Sequence, residues 1–240
     1  MPDREPREIG RRASSRINDL LDDWVPPKVR DSRPFAWTAR WLYRGTTVDI
    51  NDFKQQAHYL DSNDYAAFYA GLNPRFQQGD TDLTPGSLAA VVDAVVGDRV
   101  LDVACGDGLL TQRLGDRATT VGVDVYVNPT ARGRTRRLAA GDLERLPFAD
   151  GTFDTVVSTH TLEHVQHLPA AIDELRRLAR RRLVIVVPKQ RPYRVTFNPH
   201  IHFFPYEFSV LAFTGTDHPH TLRLVDRDWL YIEERAAPEG

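Results

Sequence analysis

Cysteine is almost missing from this sequence: Cys105 is the only one among 240 residues. An internal disulfide is excluded, and a reducing, cytoplasmic setting is expected. Long apolar runs are missing as well. The longest strongly apolar stretch is "LVIVV", Leu183 to Val187, far too short to span a bilayer. The mean hydropathy of -0.42 agrees, and no membrane partner is expected. The opening "MPDREPREIGRRASS" contains no apolar stretch, so no secretory signal is read there. Neither sign of charge dominates: 31 Lys and Arg face 33 Asp and Glu, for a net charge of -2 and a pI near 6.4. Nonspecific binding to nucleic acid or to a membrane surface thus gains no support. Arginine greatly outnumbers lysine, which we read as coding bias. There is no internal repeat and no low-complexity tract.

What is present is enough for a core: 41% of the residues are apolar. The length fits one large domain or one domain with an appendage. We divide the chain into an N-terminal helical extension, 1–83, and a main domain, 84–240. The first eight or so residues look frayed. In "RRASSRINDLLDDW", Ile17, Leu20, Leu21 and Trp24 share a helical face, and "VPPKVRDSRP" breaks it. Residues 35–70 are rich in aromatics, with two or three short helices expected, and "GLNPRFQQGDTDLTPG" reads as a loop. Thr84 is placed to N-cap a helix that has Pro85 at its first position and runs to Gly97.

From there strands and helices alternate. "RVLDVA", "TTVGVDV", "RTRRLAAGD", "TFDTVVSTH" and "RLVIVV" read as strands; "DGLLTQRLG" and "LPAAIDELRRLARR" read as helices. Short apolar runs between helices predict a parallel sheet covered on both faces. "HTLRLVDRDWLYIEE" is two alternating runs about "DRD", which predicts an antiparallel hairpin at the sheet edge.

The stretch "LDVACGDG", residues 101–108, ends a strand in a Gly-x-Gly turn. Ligands of α/β sheets sit beyond the carboxyl ends of the strands. A dinucleotide turn needs a third glycine, but position 111 is threonine; the Gly-Lys-Ser/Thr of a P-loop is also absent. A phosphate ligand and a nicotinamide oxidoreductase are therefore disfavoured. Asp124 ends the next strand, where an acid accepts both hydroxyls of a ribose. Asp142 ends the one after, placed to read an exocyclic amine. Together these describe a nucleoside without phosphates.

The ordered set "VLDVACGDG", "GVDV", "GDLERLPFADGTFDTVVSTHTLEHV" and "LVIVVP" resembles the class I S-adenosylmethionine (SAM)-dependent methyltransferases, in the small-molecule, type 11-like branch. The likeness covers roughly residues 84–188 and the terminal hairpin. One departure is Ala104, where the family often has glycine. The resemblance implies an α/β, Rossmann-like, doubly wound and mostly parallel seven-stranded sheet, with a C-terminal antiparallel hairpin and an N-terminal helical extension. It implies SAM as cofactor. Asp102 and the backbone at Ala104, Gly106 and Gly108 would hold its methionine part, Asp124 its ribose, and Asp142 with Leu143 its adenine. Thr159 and His160 would lie beside the sulfonium. The structural alternatives are a strand-end cap at Asp102 and turn acids at Asp124 and Asp142. Cys105 reads as a buried filler, because nothing nearby activates a thiol.

An alcohol acceptor needs a general base, and histidine suits that role near neutral pH. The candidates are His160, His200 and His164, the last of which competes with a structural role at a helix start. Tyr65, Lys189, Arg191, Arg194 and His202 are candidate acceptor-binding residues, the basic ones for an anionic small molecule; a solvated basic loop is the alternative. His200, His202 and Glu207 match no metal signature, and no metal is expected. The aromatic N-terminal segment reads equally as a lid and as a packing or homodimer face. The expected function is methylation of a hydroxyl on a small polar molecule, a sugar or natural-product intermediate. N-methylation and non-catalytic SAM binding stand as alternatives. A nucleic-acid substrate is disfavoured: "STHT" stands where an Asn-Pro-Pro-aromatic signature would be.

Overall fold

The computed structural model describes residues 21, 24–42, 50–61, 64, 65, 67, 68, 81–127, 129–193 and 199–235. Ile17, Leu20 and Arg194 of the sequence reading, Tyr43 and Tyr69 of the aromatic 35–70 segment, and the loop over 71–80 lie outside them. The chain forms two compact units: Met1–Gly79 with Arg191–Ile201, and Asp80–Gln190 with His202–Gly240.

The described residues of the first unit are mostly helical. They include α1 (Pro27–Arg30), α2 (Arg33–Leu42), α3 (Ile50–Gln56) and a 3₁₀ turn (Ala57–Tyr59). Pro27 opens α1 at a position where its missing N–H costs nothing. The Arg30 guanidinium is buried 3.8 Å above the Tyr193 ring. Phe53 stacks on Phe68 at 3.4 Å and meets Tyr65 at 5.3 Å. Burial, and then the charge of Arg30, lower the Lys54 amine to about 7, against the pull of Asp31.

The second unit carries the sheet. In chain order it runs α4 (Pro85–Ala94), β1 (Arg99–Val103), α5 (Leu109–Gly115), β2 (Thr119–Asp124), α6 (Pro129–Arg134), β3 (Leu138–Ala140) and β4 (Phe153–Thr159). A 3₁₀ turn (Leu162–His164), α7 (Leu168–Leu178), β5 (Ala179–Pro188), α8 (Glu207–Thr214), β6 (His220–Val225) and β7 (Asp228–Glu234) complete it. The seven strands lie in the order β3-β2-β1-β4-β5-β7-β6. All pairs are parallel except β5 with β7 and β7 with β6. This is the expected α/β sheet with its terminal hairpin.

Period-two side-chain alternation explains the two cores. Leu101, Val156, Leu183 and Ile185 join Ile172, Leu175 and Leu178 of α7 on one face. Val100, Val157, Val184 and Val186 join Val91 of α4 and Leu110 and Leu114 of α5 on the other. "LVIVV" has no polar face because β5 is covered on both sides. Thr84 caps α4 as expected, its hydroxyl accepting from the Ser87 N–H at 3.0 Å. That helix stops at Ala94, short of Gly97. The third strand is shorter than expected: "RTRRLAAGD" yields only Leu138–Ala140, and α6 precedes it. Pro129 starts α6 at a position that suits proline.

Candidate active site

Parallel register brings four strand ends to one edge. Val103 of β1 pairs with Val123 of β2 and Ser158 of β4, and Asp124 of β2 pairs with Ala140 of β3. Residues that follow these positions therefore share the carboxyl edge of the sheet. Backbone bonds tie the turns together there. The Cys105 N–H donates to the Val123 carbonyl and the Gly141 N–H to the Asp124 carbonyl, both at 3.0 Å.

The turn after β1 is left-handed at Ala104 (φ 57°) and Gly106 (φ 50°), and Gly108 N-caps α5. A side chain is strained at such angles, so Ala104 is an unusual choice. At Gly106 an added Cβ would have nothing within 4 Å, so the backbone stands beside open space. The Gly106 N–H donates to Asp124 Oδ2 at 2.8 Å, and Asp124 Oδ1 accepts from Tyr126 N–H at 3.1 Å. Burial raises the Asp124 carboxyl, and N–H groups of Gly106, Tyr126 and Val125 work against that shift. Val125 and Tyr126, 68% and 67% exposed, flank Asp124 and offer uncovered apolar surface that the sequence reading missed.

Asp102 is buried within β1 and accepts the Thr111 hydroxyl at 2.6 Å. Burial pushes its carboxyl up to about 7; Thr111 opposes this and the nearby Asp124 charge adds to it. Burial, with the charges of Asp102 and Asp124, pushes the Cys105 thiol up to about 12. Cys105 is thus inert filler, as its sequence context suggests.

Asp142 turns the chain after β3. Its Oδ1 accepts the Glu144 N–H at 3.0 Å, and Leu143 beside it is buried. Thr159 is the last residue of β4. Next comes His160, left-handed at φ 50°, whose N–H donates to the Val186 carbonyl at 2.9 Å. Its ring lies between two carboxylates, with Nδ1 3.5 Å from Glu163 Oε1 and Nε2 3.2 Å from Asp228 Oδ1. Burial works against its charge, but Asp228 and Glu163 outweigh burial and hold the imidazole well above its usual range. Glu163 is 0% exposed. Asp228 is also buried, and its Oδ2 accepts the Ser87 hydroxyl at 2.6 Å. Asp228 and Ser87 escaped the sequence reading: one sat in a polar turn, the other in a helix start. An acid heading the apolar run "DWLYI" was the signal available.

His164 is half-buried in the 3₁₀ turn. His202 is half-buried, its Nε2 2.8 Å from the Val165 carbonyl and its N–H bonded to the Glu163 carbonyl at 3.2 Å. Lys189 is exposed just after β5, its amine 6.0 Å from the Trp229 ring. Tyr65, Arg191 and His200 belong to the first unit, where Arg191 is exposed and the other two are half-buried.

The edge of the second unit fits a nucleoside donor with an amino-acid tail. It offers open space at Gly106, a strand-end acid at Asp124, uncovered apolar surface at Val125 and Tyr126, and a buried acid at Asp102. Among the described residues no helix is long and apolar enough to cross a membrane.

Residues 101–187 match the family model described as a methyltransferase domain. The chain is 30% identical over 189 residues to the demethylmenaquinone methyltransferase of Beutenbergia cavernae, covering 70% of this chain and 78% of that one. It is 34% identical over 130 residues to the enzyme of the same name from Mycobacterium marinum, covering 50% of this chain and 56% of that one. The chain thus spans little more than half the length of this second relative. Two solved structures share the fold. One is a SAM-dependent methyltransferase from Thermotoga maritima, described as a possible histamine N-methyltransferase, with TM-score 0.55, 14% identity and coverage of 77% of this chain and 98% of that one. The other is a protein from Pyrococcus horikoshii, with TM-score 0.53, 17% identity and coverage of 70% and 98%. With its motifs in order on this sheet, and this degree of identity over most of a relative's length, the chain belongs to the class I SAM-dependent methyltransferases and takes S-adenosylmethionine as its methyl donor.

Proposed function

We propose that the chain methylates a small aromatic acceptor of the quinol type, at a ring carbon nucleophilic enough to need no base from the enzyme. The observation that carries this reading is the identity to a demethylmenaquinone methyltransferase over 189 residues. That name describes an acceptor ring that lacks a methyl group. The His160 ring supports the reading from the structural side. Glu163 and Asp228 hold its imidazole well above the usual range, which disfavours it as the group that takes a proton from an alcohol.

Bound SAM supplies a methyl group on a sulfonium, which departs as a neutral thioether and needs no acid. The residues of this chain then have the work of binding and alignment. We assign the amino-acid end of the donor to Asp102 and the backbone at Ala104, Gly106 and Gly108. We assign the ribose to Asp124, the adenine to Asp142 and Leu143, and the reacting end to Thr159. The protein must also hold the acceptor in line and about 3 Å away, because most of the rate enhancement open to it is positional.

A second reading is methylation of a hydroxyl on a small polar molecule. The half-buried His164 favours it as the base, with the exposed Lys189 for an anionic acceptor. One experiment separates the two. The purified chain is incubated with methyl-labelled SAM and, in turn, a short-chain demethylmenaquinol, a sugar alcohol and a primary amine, and the products are assigned by NMR. A new methyl on the quinol ring carbon is expected. A methyl ether would transfer the assignment to the hydroxyl reading, and turnover of the amine alone would sink both.

A further inference from the structure

We propose that His160 is a positioning residue that works as an imidazolium: its charge straps the turn after β4 to the first residue of β7, and so fixes the wall of the donor site at Thr159. Three independent features of the second unit lead to this.

The first is the backbone. His160 holds a left-handed φ of 50°, which a residue with a side chain keeps only when its surroundings enforce it. The enforcement is visible in the N–H bond to Val186 and in a buried ring with a carboxylate at ion-pair distance from each nitrogen, although Nε2 makes no hydrogen bond of good geometry among the described residues.

The second is Glu163. Its carboxylate is fully buried, and among the described residues neither oxygen receives a hydrogen bond of good geometry. A buried carboxylate without donors is tolerated only beside a compensating cation. His160 Nδ1, at 3.5 Å, faces that carboxylate as its ion-pair partner, and a ring nitrogen of His164 lies within 4.8 Å of it as well.

The third is Asp228. Its Oδ2 is occupied by the Ser87 hydroxyl of α4, which leaves Oδ1 facing His160 Nε2 at 3.2 Å. The carboxylates that face the ring are therefore Glu163 from the 3₁₀ turn and Asp228 from β7, with Ser87 of α4 behind the latter. One imidazolium joins β4, the turn, β7 and, through Asp228, α4. In this proposal both ring nitrogens carry protons, and His160 acts by position rather than as the general base expected from the sequence. Its effect on the reaction passes through the geometry of Thr159.

The test uses the full chain with ¹³C-labelled histidine. The His160 ring signal is identified by its loss in His160→Asn, since asparagine accepts a positive φ. In the wild type this ring is expected to keep its imidazolium shift beyond about pH 6.5, where an ordinary histidine has half released its proton. Asp228→Asn and Glu163→Gln should each lower its midpoint. S-adenosylhomocysteine binding, read by calorimetry, should weaken by about tenfold in His160→Asn. Wild-type affinity should fall as the ring deprotonates, and that pH dependence should vanish in His160→Asn. A wild-type ring that titrates near its ordinary value overturns the proposal, as does a His160→Asn protein that binds with unchanged affinity and pH profile. If His160→Asn does not fold, the midpoints in Asp228→Asn and Glu163→Gln decide, and unmoved midpoints count against the strap.

Discussion

Gly106 and Gly97 both sit at positive φ, 50° and 78°, and yet an alanine would act differently at each. Left-handed backbone costs an L residue roughly 1–2 kcal/mol at either place. At Gly97 the new methyl would also overlap the side chain of Asp154, whose Oδ2 accepts the N–H groups of Asp98 and Arg99 at 2.9 and 3.1 Å. Gly97→Ala should therefore lower the urea midpoint by much more than the backbone term alone. At Gly106 nothing in the protein stands in the way. Gly106→Ala should keep its fold with a loss of roughly 1–2 kcal/mol, and lose S-adenosylhomocysteine affinity by more than that in calorimetry. Equal losses of affinity in the two variants would remove the donor from the Gly106 turn. The motifs made these residues visible before the structure was. Glycine, strand-end acid and spacing are all chain-local signals. The ring of His160 was not legible in the same way. Its partner Asp228 lies 68 positions further on, and only the antiparallel pairing of Pro188 with Asp228 brings the two together.

Elements were legible where apolar periodicity was strong and misjudged where proline and edge position intervened. β5 and α7 stood out because each buries a continuous apolar pattern. β3 was expected within "RTRRLAAGD", but its bounds were too wide, since an edge strand of three residues carries little burial to mark its ends. How α7 attaches to the hairpin was hidden altogether, because it depends on buried charge. Glu233 of β7 is 0% exposed and accepts from Arg176 of α7 at 2.7 Å, from the Tyr231 hydroxyl at 2.7 Å and from Arg235 at 3.0 Å. Arg176 also bonds the Thr214 carbonyl at the end of α8. Burial acts to raise the Glu233 carboxyl, but Arg176 and its neighbours keep it below its usual range. Removing one partner of such a pair leaves a buried charge short of compensation. Arg176→Ala should cost about 3 kcal/mol in urea unfolding. The double change Arg176→Met with Glu233→Gln should recover most of that loss, because the desolvated charge is gone. If Arg176→Ala is neutral, the cluster is not what joins α7 to the hairpin.

For the whole molecule, these buried groups combine into a distinctive pH profile. Asp154, Glu174 and Glu233 have lowered carboxyls, so their stabilisation is present above about pH 4 and lost as the pH falls below it. Asp102 runs the other way. Its folded value is raised to about 7, so the folded chain binds a proton that the unfolded chain has already released. Its stabilisation is complete at low pH and is lost as the pH climbs from about 4 through 7, an effect on the order of 4 kcal/mol at most. His160 adds a loss of the same sign, beginning near pH 6.5 and ending at its raised folded value. Thermal stability should therefore peak near about pH 5 and decline through neutrality. Asp102→Asn should flatten the decline below about pH 7, and His160→Asn the part above it. A residue that costs stability at working pH is expected where binding needs it. On the proposed assignment of the donor's amino-acid end to Asp102, its ammonium group favours the ionised carboxyl, so S-adenosylhomocysteine should raise the melting temperature more near and just above neutrality than at the stability peak. Its binding near neutrality should release a proton, detectable as a dependence of the calorimetric heat on the buffer's ionisation enthalpy. Scanning calorimetry across pH, with and without the ligand, reads all of this at once. A melting temperature that rises steadily from the acid side through neutrality, unchanged in Asp102→Asn, would show that the Asp102 carboxyl is ionised in the folded chain and that its burial is balanced without the donor.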